Sequence, residues 1–278
     1  MSDKRTSRNI REAVKKHYAH AITSQKPCCG HDQNLLGTDD AAKLLQMSGY
    51  TPSDLKGVPE SASSFGCGNP LSLAQVSAGQ TVLDLGSGAG LDLILAARKV
   101  GPGGKAIGLD MTDEMIEVCR RNLAQAGITN AEVRKGIMER MPVADGEVDW
   151  IISNCVINLS PEKAKVFAEA FRVLRPGGRL LVSDIVTEEL PAELRADLEA
   201  WAGCLGGAVD EPVYLDLMRR AGFIDVKVVD KLVYTAEQLD PMFGDCCGGD
   251  TKIDRAVLDR CAGRVASIKV YAEKPASV

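Results

Sequence analysis

Two sets of residues in this 278-residue chain have types and spacings suited to chemistry. The first is Asp84-Leu-Gly86-Ser87-Gly88-Ala-Gly90, which closes the apolar run Thr81 to Leu85. An acid at the end of such a run, followed by glycines at alternate positions, lets the backbone turn sharply and leaves room for a ligand beside the next helix. A dinucleotide fingerprint wants small residues at its first, third and sixth positions, and the sixth here is Leu91. Asp110, twenty residues beyond Gly90, ends a second apolar run, where a carboxylate accepts both hydroxyls of a ribose. A cofactor with a ribose but no pyrophosphate fits this spacing better than a nicotinamide dinucleotide. The second set is sulfur. Of nine cysteines, Cys67 sits in Gly66-Cys67-Gly68, Cys155 in Ser153-Asn154-Cys155, and Cys204 before Gly206-Gly207. Adjacent pairs stand at Cys28-Cys29 and Cys246-Cys247.

These residues need a frame, and the composition allows one. Apolar residues make up 45% of the chain, enough for one large α/β domain with an appended element. The net charge is −5 with no basic patch, which argues against non-specific nucleic-acid binding. The N-terminal twenty residues are polar, and no run is long enough to cross a bilayer. The expectation is therefore a cytoplasmic protein with no membrane partner. In that reducing compartment nine cysteines read as thiols with chemistry, not as a disulfide framework.

Strand-like runs alternate with helical periods along most of the chain. Residues 1 to 22 read as a helix with Ile10, Val14 and Tyr18 on one face, either a lid over a ligand or a plain packing helix. A short helix is expected near Ala41 to Met47, with breaks at Thr51-Pro52 and Val58-Pro59. Strands are expected over 81–85, 105–110, 131–135, 148–153, 179–185, 224–229 and 264–273. Helices are expected from Gly90 to Val100, from a Thr112 cap to Gly127, from a Ser160 cap to Leu174, over 193–204 and over 213–221. Gly136, Ile137, Met138 and Glu139 follow the third strand, where an adenine would lie on apolar side chains. The predicted fold class is α/β, a doubly wound, mostly parallel seven-stranded sheet. Its parts are an N-terminal Cys-bearing arm (1–71), a core (72–230) with an insertion at 188–210, and a C-terminal segment (231–278) holding the Cys246-Cys247-Gly248 loop and the last strand.

From about Leu73 to Asp230 the chain resembles the class I S-adenosylmethionine-dependent methyltransferases. The motif Asp84 to Gly90, the acid at Asp110 and the segment Leu174-Arg175-Pro176-Gly177-Gly178 carry the resemblance. It implies S-adenosylmethionine as cofactor, bound by Asp84, Gly86, Ser87, Gly88, Gly90, Asp110, Met111, Ile137, Met138, Glu139 and Asn154. It does not choose the substrate. In this topology strand one neighbours strand four, so Cys155, just past the end of strand four, would face the transferable methyl. The alternative for Cys155 is a small buried hydrophobe, and Cys204 reads equally as core or ligand. Cys67 is the least core-like. Three thiols from three segments suit a soft trivalent centre. Zinc sites normally show Cys-x-x-Cys pairs, and none exists here. The histidines, His17, His20 and His31, all precede the core, which leaves no obvious histidine base, although a carboxylate would still serve.

The stretches Phe65 to Pro70, Ser153 to Leu159 and Trp201 to Ala208 carry a narrower resemblance, from about Cys28 to Gly222, to the arsenite methyltransferases. That resemblance implies methyl transfer to arsenite and methylated trivalent arsenicals. It makes Cys155 and Cys204 arsenic ligands, joined by Cys67, with Cys28 or Cys29 as a further redox partner. It also implies disulfide formation during turnover and resetting by thioredoxin or glutathione. Two other readings share the sequence. One is a C- or N-methyltransferase of a small metabolite, which would not need the three thiols. The other is a metalloid sensor that transfers no methyl. Cys246 and Cys247 are either a capture pair or loop cysteines without a role, Cys119 fits helix packing, and Cys261 reads as structural.

Overall fold

The computed structural model describes residues 6–23, 48–62, 66, 68–188, 205–239 and 259–277. The expected helices over 41–47 and 193–204 fall outside these residues, as do Cys28, Cys29, Cys67, Cys204, Cys246 and Cys247.

Among the described residues seven strands form one sheet, in the order β3-β2-β1-β4-β5-β7-β6. The strands are β1 (Thr81–Leu85), β2 (Lys105–Asp110), β3 (Ala131–Lys135), β4 (Val148–Asn154), β5 (Leu174–Thr187), β6 (Ile224–Val233) and β7 (Val265–Glu273). The first five run parallel. β7 is antiparallel to both β5 and β6. The doubly wound, mostly parallel expectation holds.

The alternation of side chains along the central strands splits the core in two. Leu83, Leu85, Ile107, Leu109, Ile151 and Val182 face one layer. Val82, Ala106, Trp150, Ile152 and Leu181 face the other. Helices α3 (Leu91–Val100) and α4 (Asp113–Gln125) bury Leu93, Ile94, Ile116 and Cys119. On the opposite layer, α5 (Lys163–Val173) and α6 (Glu211–Arg220) bury Phe167 and Tyr214, whose rings meet edge to face. A third cluster sits at the sheet's carboxyl edge. There Ile10 and Val14 of α1 (Ser7–Thr23) pack with Cys155, Leu159 and Leu205.

Several boundaries differ from the sequence expectation for local reasons. Thr51-Pro52 starts a one-turn helix, α2 (Pro52–Leu55), in which Thr51 and Asp54 form a capping box. Ser160 does not cap α5. Its hydroxyl instead donates to Glu139 and accepts the Glu162 N–H, and the helix begins at Lys163. Thr112 occupies the N-cap of α4 without a capping hydrogen bond from its side chain. β5 begins at Leu174, five residues early, because Leu174 already pairs with Val148. β6 runs on to Val233 along β7, and an unexpected turn of helix, α7 (Ala236–Leu239), follows.

Candidate active site

Parallel strands deliver their carboxyl ends to one edge, and the site is built there. The register places Asp84 of β1 beside Gly108 of β2 and Ile152 of β4, and Asn154 of β4 beside Ser183 of β5. A recess opens over these ends, with about 970 Å³ of empty space counting the part open to solvent. Its walls include Asp84, Gly86, Ser87, Gly88, Asp110, Met111, Ile137, Met138, Glu139, Asn154 and Cys155. Ten of the eleven expected cofactor residues thus line one cavity. Gly90 is the exception and lies behind the loop. It adopts φ +100, and a Cβ there would come within 2.7 Å of the Cys119 sulfur. Cys119 is fully buried, and its thiol is pushed up to about 12, first by burial and then by Asp84 and Asp110. It is a packing residue, as its helical spacing indicates.

The floor of the recess is acidic. Burial raises Asp84 well above the usual carboxylate range, and Asp92 and Asp110 add to the shift. One of its carboxylate oxygens, Oδ2, is buried without a hydrogen-bond partner. Asp110 is also raised by burial, in part offset by N–H donors. Its Oδ2 accepts from Gly88 N at 3.0 Å and its Oδ1 from Thr112 N at 2.8 Å. Asp110 therefore fastens the glycine loop of β1 to the end of β2.

Cys155 takes an unusual place in this edge. It is one of two non-glycine residues with positive φ among the described residues, at 61°. A side chain in that region costs roughly 1–2 kcal/mol, and such strain collects at functional sites. The turn is held by Cys155 N donating to Ser183 O at 2.8 Å. Cys155 is buried and disulfide-bonded, while Cys119 and Cys261 are buried outside any disulfide. The next residue, Val156, presses on Gly86, where a Cβ would collide with it. The glycine loop and the thiol turn are in direct contact.

The sequence reading named Val14 and Tyr18 on the lid face but missed Arg11 beside them, and Leu91 and Asp92 as walls. Asp92 and Leu91 line the recess from the first turn of α3, and Arg11 and Val14 line it with Tyr18 from α1. Arg11, Val14 and Tyr18 follow a helical i, i+3, i+7 spacing, so the lid face was readable. Arg11 bridges Glu139 (3.1 Å) and Glu162, which latches α1 across the mouth. Asp92 is pushed up to about 6 by burial, against hydrogen bonds from Tyr50 and Asn154. Tyr50 carries no local signal that marks it. Among the described residues, no helix is long and apolar enough to cross a membrane. Nor does any group of three or more His, Cys, Asp or Glu among them form a metal site.

Comparison with known proteins agrees with this geometry. Residues 76–242 match the model of a methyltransferase domain family. An arsenite methyltransferase of Halobacterium salinarum is 42% identical over 236 residues, 82% of this chain and 60% of the relative. The arsenite methyltransferase of Homo sapiens is 35% identical, covering 66% of this chain and 51% of the relative. The chain thus spans about half to three-fifths of the length of these relatives. The crystal structure of an arsenic (III) S-adenosylmethionine methyltransferase from Chlamydomonas reinhardtii superposes with TM-score 0.63 at 30% identity, over 84% of this chain and 74% of that one. A glycine loop tied to Asp110 and touching a strained cysteine turn, on a fold and sequence shared with these proteins, place the chain in the arsenite methyltransferase family of S-adenosylmethionine-dependent methyltransferases.

Proposed function

We propose that this chain transfers the methyl group of S-adenosylmethionine to trivalent arsenic held by cysteine thiolates, as a step in arsenic detoxification. The observation that carries the reading is Cys155. It stands in a strained turn at the wall of the recess that also holds Asp84 and Asp110, and its neighbour Val156 touches the glycine loop.

S-Adenosylmethionine is the cofactor of the family, and the recess fits it. An unpartnered buried Asp84 oxygen gives a polar or cationic group somewhere to bond. Gly86 and Gly88, at φ +65 and +51, take backbone angles that a residue with a side chain rarely adopts. Asp110 is the residue for the ribose, and Met111, Ile137 and Met138 supply apolar surface for the base. The cofactor, when bound, supplies an electrophilic methyl.

The chain's own work is to hold the acceptor. In this reading Cys67, Cys155 and Cys204 bind arsenite as thiolates, which leaves the arsenic lone pair free as nucleophile, so no general base is needed. Orientation then supplies most of the rate gain. Transfer raises arsenic formally from the trivalent to the pentavalent state. Two enzyme thiolates return two electrons to it by forming a disulfide, Cys67 with Cys155 or a pair including Cys28 or Cys29. Two equivalents of thiol from thioredoxin or glutathione then reduce that disulfide. Such a cycle belongs in the cytoplasm, where thiols are kept reduced.

An assay with labelled S-adenosylmethionine tests the reading. Label should pass to arsenite in the presence of thiol. Binding of arsenite without transfer would indicate a sensor, and transfer to a carbon or nitrogen acceptor that survives loss of Cys155 would indicate a metabolite methyltransferase.

A further inference from the structure

Asn154 looks, by position, like a cofactor ligand. It ends β4 and lines the recess. Its carboxamide, however, is spent on the protein. Oδ1 accepts the Gly68 N–H at 3.1 Å, and Nδ2 donates to the Gly68 carbonyl. One amide side chain thus grips both backbone groups of a single residue. Nδ2 is also within 3.1 Å of Tyr50 Oη and 3.1 Å of Asp92 Oδ2. Tyr50 Oη in turn donates to Asp92 Oδ1 at 2.8 Å. Two amide hydrogens shared among three acceptors fix the carboxamide plane from behind.

The gripped segment is pressed home on both sides. A Cβ at Gly66 would fall on the Asn154 carboxamide, and a Cβ at Gly68 would fall on Ser183 Oγ. Ser183 is also the residue whose carbonyl holds the Cys155 N–H. Glycine is required at 66 and 68 because the backbone wraps the end of β4 with no space for a side chain. These two glycines flank Cys67 in sequence, and Asn154 directly precedes Cys155.

We propose that Asn154 is a positioning residue of the thiol site: its carboxamide, backed by Asp92 and Tyr50, clamps Gly68 to the end of β4 and so fixes the span between the segment bearing Cys67 and Cys155. The inference rests on the proposed thiol chemistry for its purpose, but its geometry is testable without arsenic. A clamp of this kind acts by raising the effective concentration of one thiol at the other. It also makes Gly66 and Asn154 two halves of one contact.

The test uses the full chain and the variants Asn154→Ala, Gly66→Ala and their double. The first readout is the equilibrium between the Cys67–Cys155 disulfide and the dithiol in glutathione redox buffers, mapped by peptide mass spectrometry with no arsenite present. Each single substitution should lower that equilibrium constant by about tenfold or more, with the double no worse than either single, as for two residues sharing one contact. The second readout is affinity for S-adenosylhomocysteine, expected to change by less than about twofold, because the Asn154 carboxamide is bonded to Gly68, Tyr50 and Asp92 rather than turned to a ligand. The third is kinetic: KM for arsenite should rise about tenfold while KM for S-adenosylmethionine stays, since only the acceptor side is loosened. An unchanged disulfide equilibrium, additive losses in the double variant, or a loss of donor affinity as large as the thiol effect would overturn the proposal. So would a wild-type protein in which the Cys67–Cys155 bond never forms. If Asn154→Ala does not fold, Gly66→Ala, which keeps Asn154 and instead pushes its carboxamide off Gly68, decides alone by the same readouts. A clamp-dependent disulfide in a protein that never methylates arsenite would sink the proposed function and leave this inference standing.

Discussion

The two halves of the recess are built in different ways. The half proposed for the donor uses the backbone. Its glycine loop leaves β1, is tied to β2 through Asp110, and needs no segment from outside the sheet and its helices. The half proposed for the thiols uses side chains to gather distant pieces. Cys155 sits on a strained turn, and Gly68 is held to β4 by the Asn154 carboxamide. The half proposed for the donor is therefore built by the fold itself, whereas the half proposed for the thiols is an assembly held together by side-chain contacts. Substitutions in the two halves should separate donor binding from arsenic handling.

The largest expected effect is on the thiol side. Cys155→Ser should lower arsenite methylation by at least about a hundredfold, the scale expected when a positioned reacting group is lost. Isothermal titration should find the affinity for S-adenosylhomocysteine unchanged. Cys204→Ser should behave alike. Full activity in either variant would remove that residue from the arsenic site. The mirror experiment is Gly90→Ala. Its φ of +100 and the Cys119 sulfur at 2.7 Å leave no room for a methyl. Donor affinity should fall by about tenfold, the equivalent of roughly 1–2 kcal/mol of left-handed strain. Thiol titration with arsenite should be unaffected. If arsenite binding falls with donor binding, the two halves are not separable.

The same contrast explains what could be read from the chain. The glycine-loop wall of the recess was legible nearly residue by residue, because a glycine loop after a buried strand has one backbone solution. β1, β2 and β3 appear where the apolar runs place them. The thiol half was legible as chemistry but not as geometry. Sequence puts Asn154 among the cofactor residues, whereas its hydrogen bonds go to Gly68, Tyr50 and Asp92. Nothing local to residue 154 announces a partner 86 positions away. Ser160 was misread for a related reason. The serine-proline pair is a good helix start in isolation, but a tertiary partner, Glu139, takes the hydroxyl.

A buried acid beneath the thiol turn gives a third, smaller test. Asp184 of β5 is pushed up to about 7 by burial, against the Tyr214 hydroxyl at 2.8 Å and the Lys163 charge. A carboxyl whose folded pKa lies above its unfolded value stabilises the fold most at low pH. That contribution is lost as pH rises through the folded pKa. Wild-type stability should thus carry a decline between about pH 4 and 7 from this residue, on the order of a few kcal/mol at most. Asp184→Asn removes the titration, so denaturant melts should show a flatter pH profile over that window. An unchanged slope would mean that Asp184 is no more costly to ionise than an exposed carboxylate. Methylation should persist in this variant, because Asp184 is not among the residues lining the recess.

The smallest effect belongs to the element that spans both halves. α1 lies over the recess, with Ile10 and Val14 in the cluster around Cys155 and with Arg11 reaching Glu139 on the side proposed for the base. The Arg11 and Glu139 side chains are 23% and 6% exposed, so the latch is partly shielded from salt. A partly shielded pair is worth roughly 1 kcal/mol, which is about a fivefold change in an equilibrium constant. Arg11→Ala should therefore speed the dissociation of S-adenosylhomocysteine by about fivefold in stopped-flow measurements, if loss of the latch is felt mainly in the off-rate. Arg11→Lys should recover only part of the effect, because one ammonium cannot reproduce the fork that meets both Glu139 and Glu162. The informative outcome is which substrate responds. A change confined to donor release assigns α1 to the pre-formed half, as its contact with Glu139 predicts. A change confined to the arsenite KM would instead make α1 part of the assembled half, acting through Val14 on the Cys155 turn, and the division between backbone-built and side-chain-built regions would have to be redrawn with the lid on the other side.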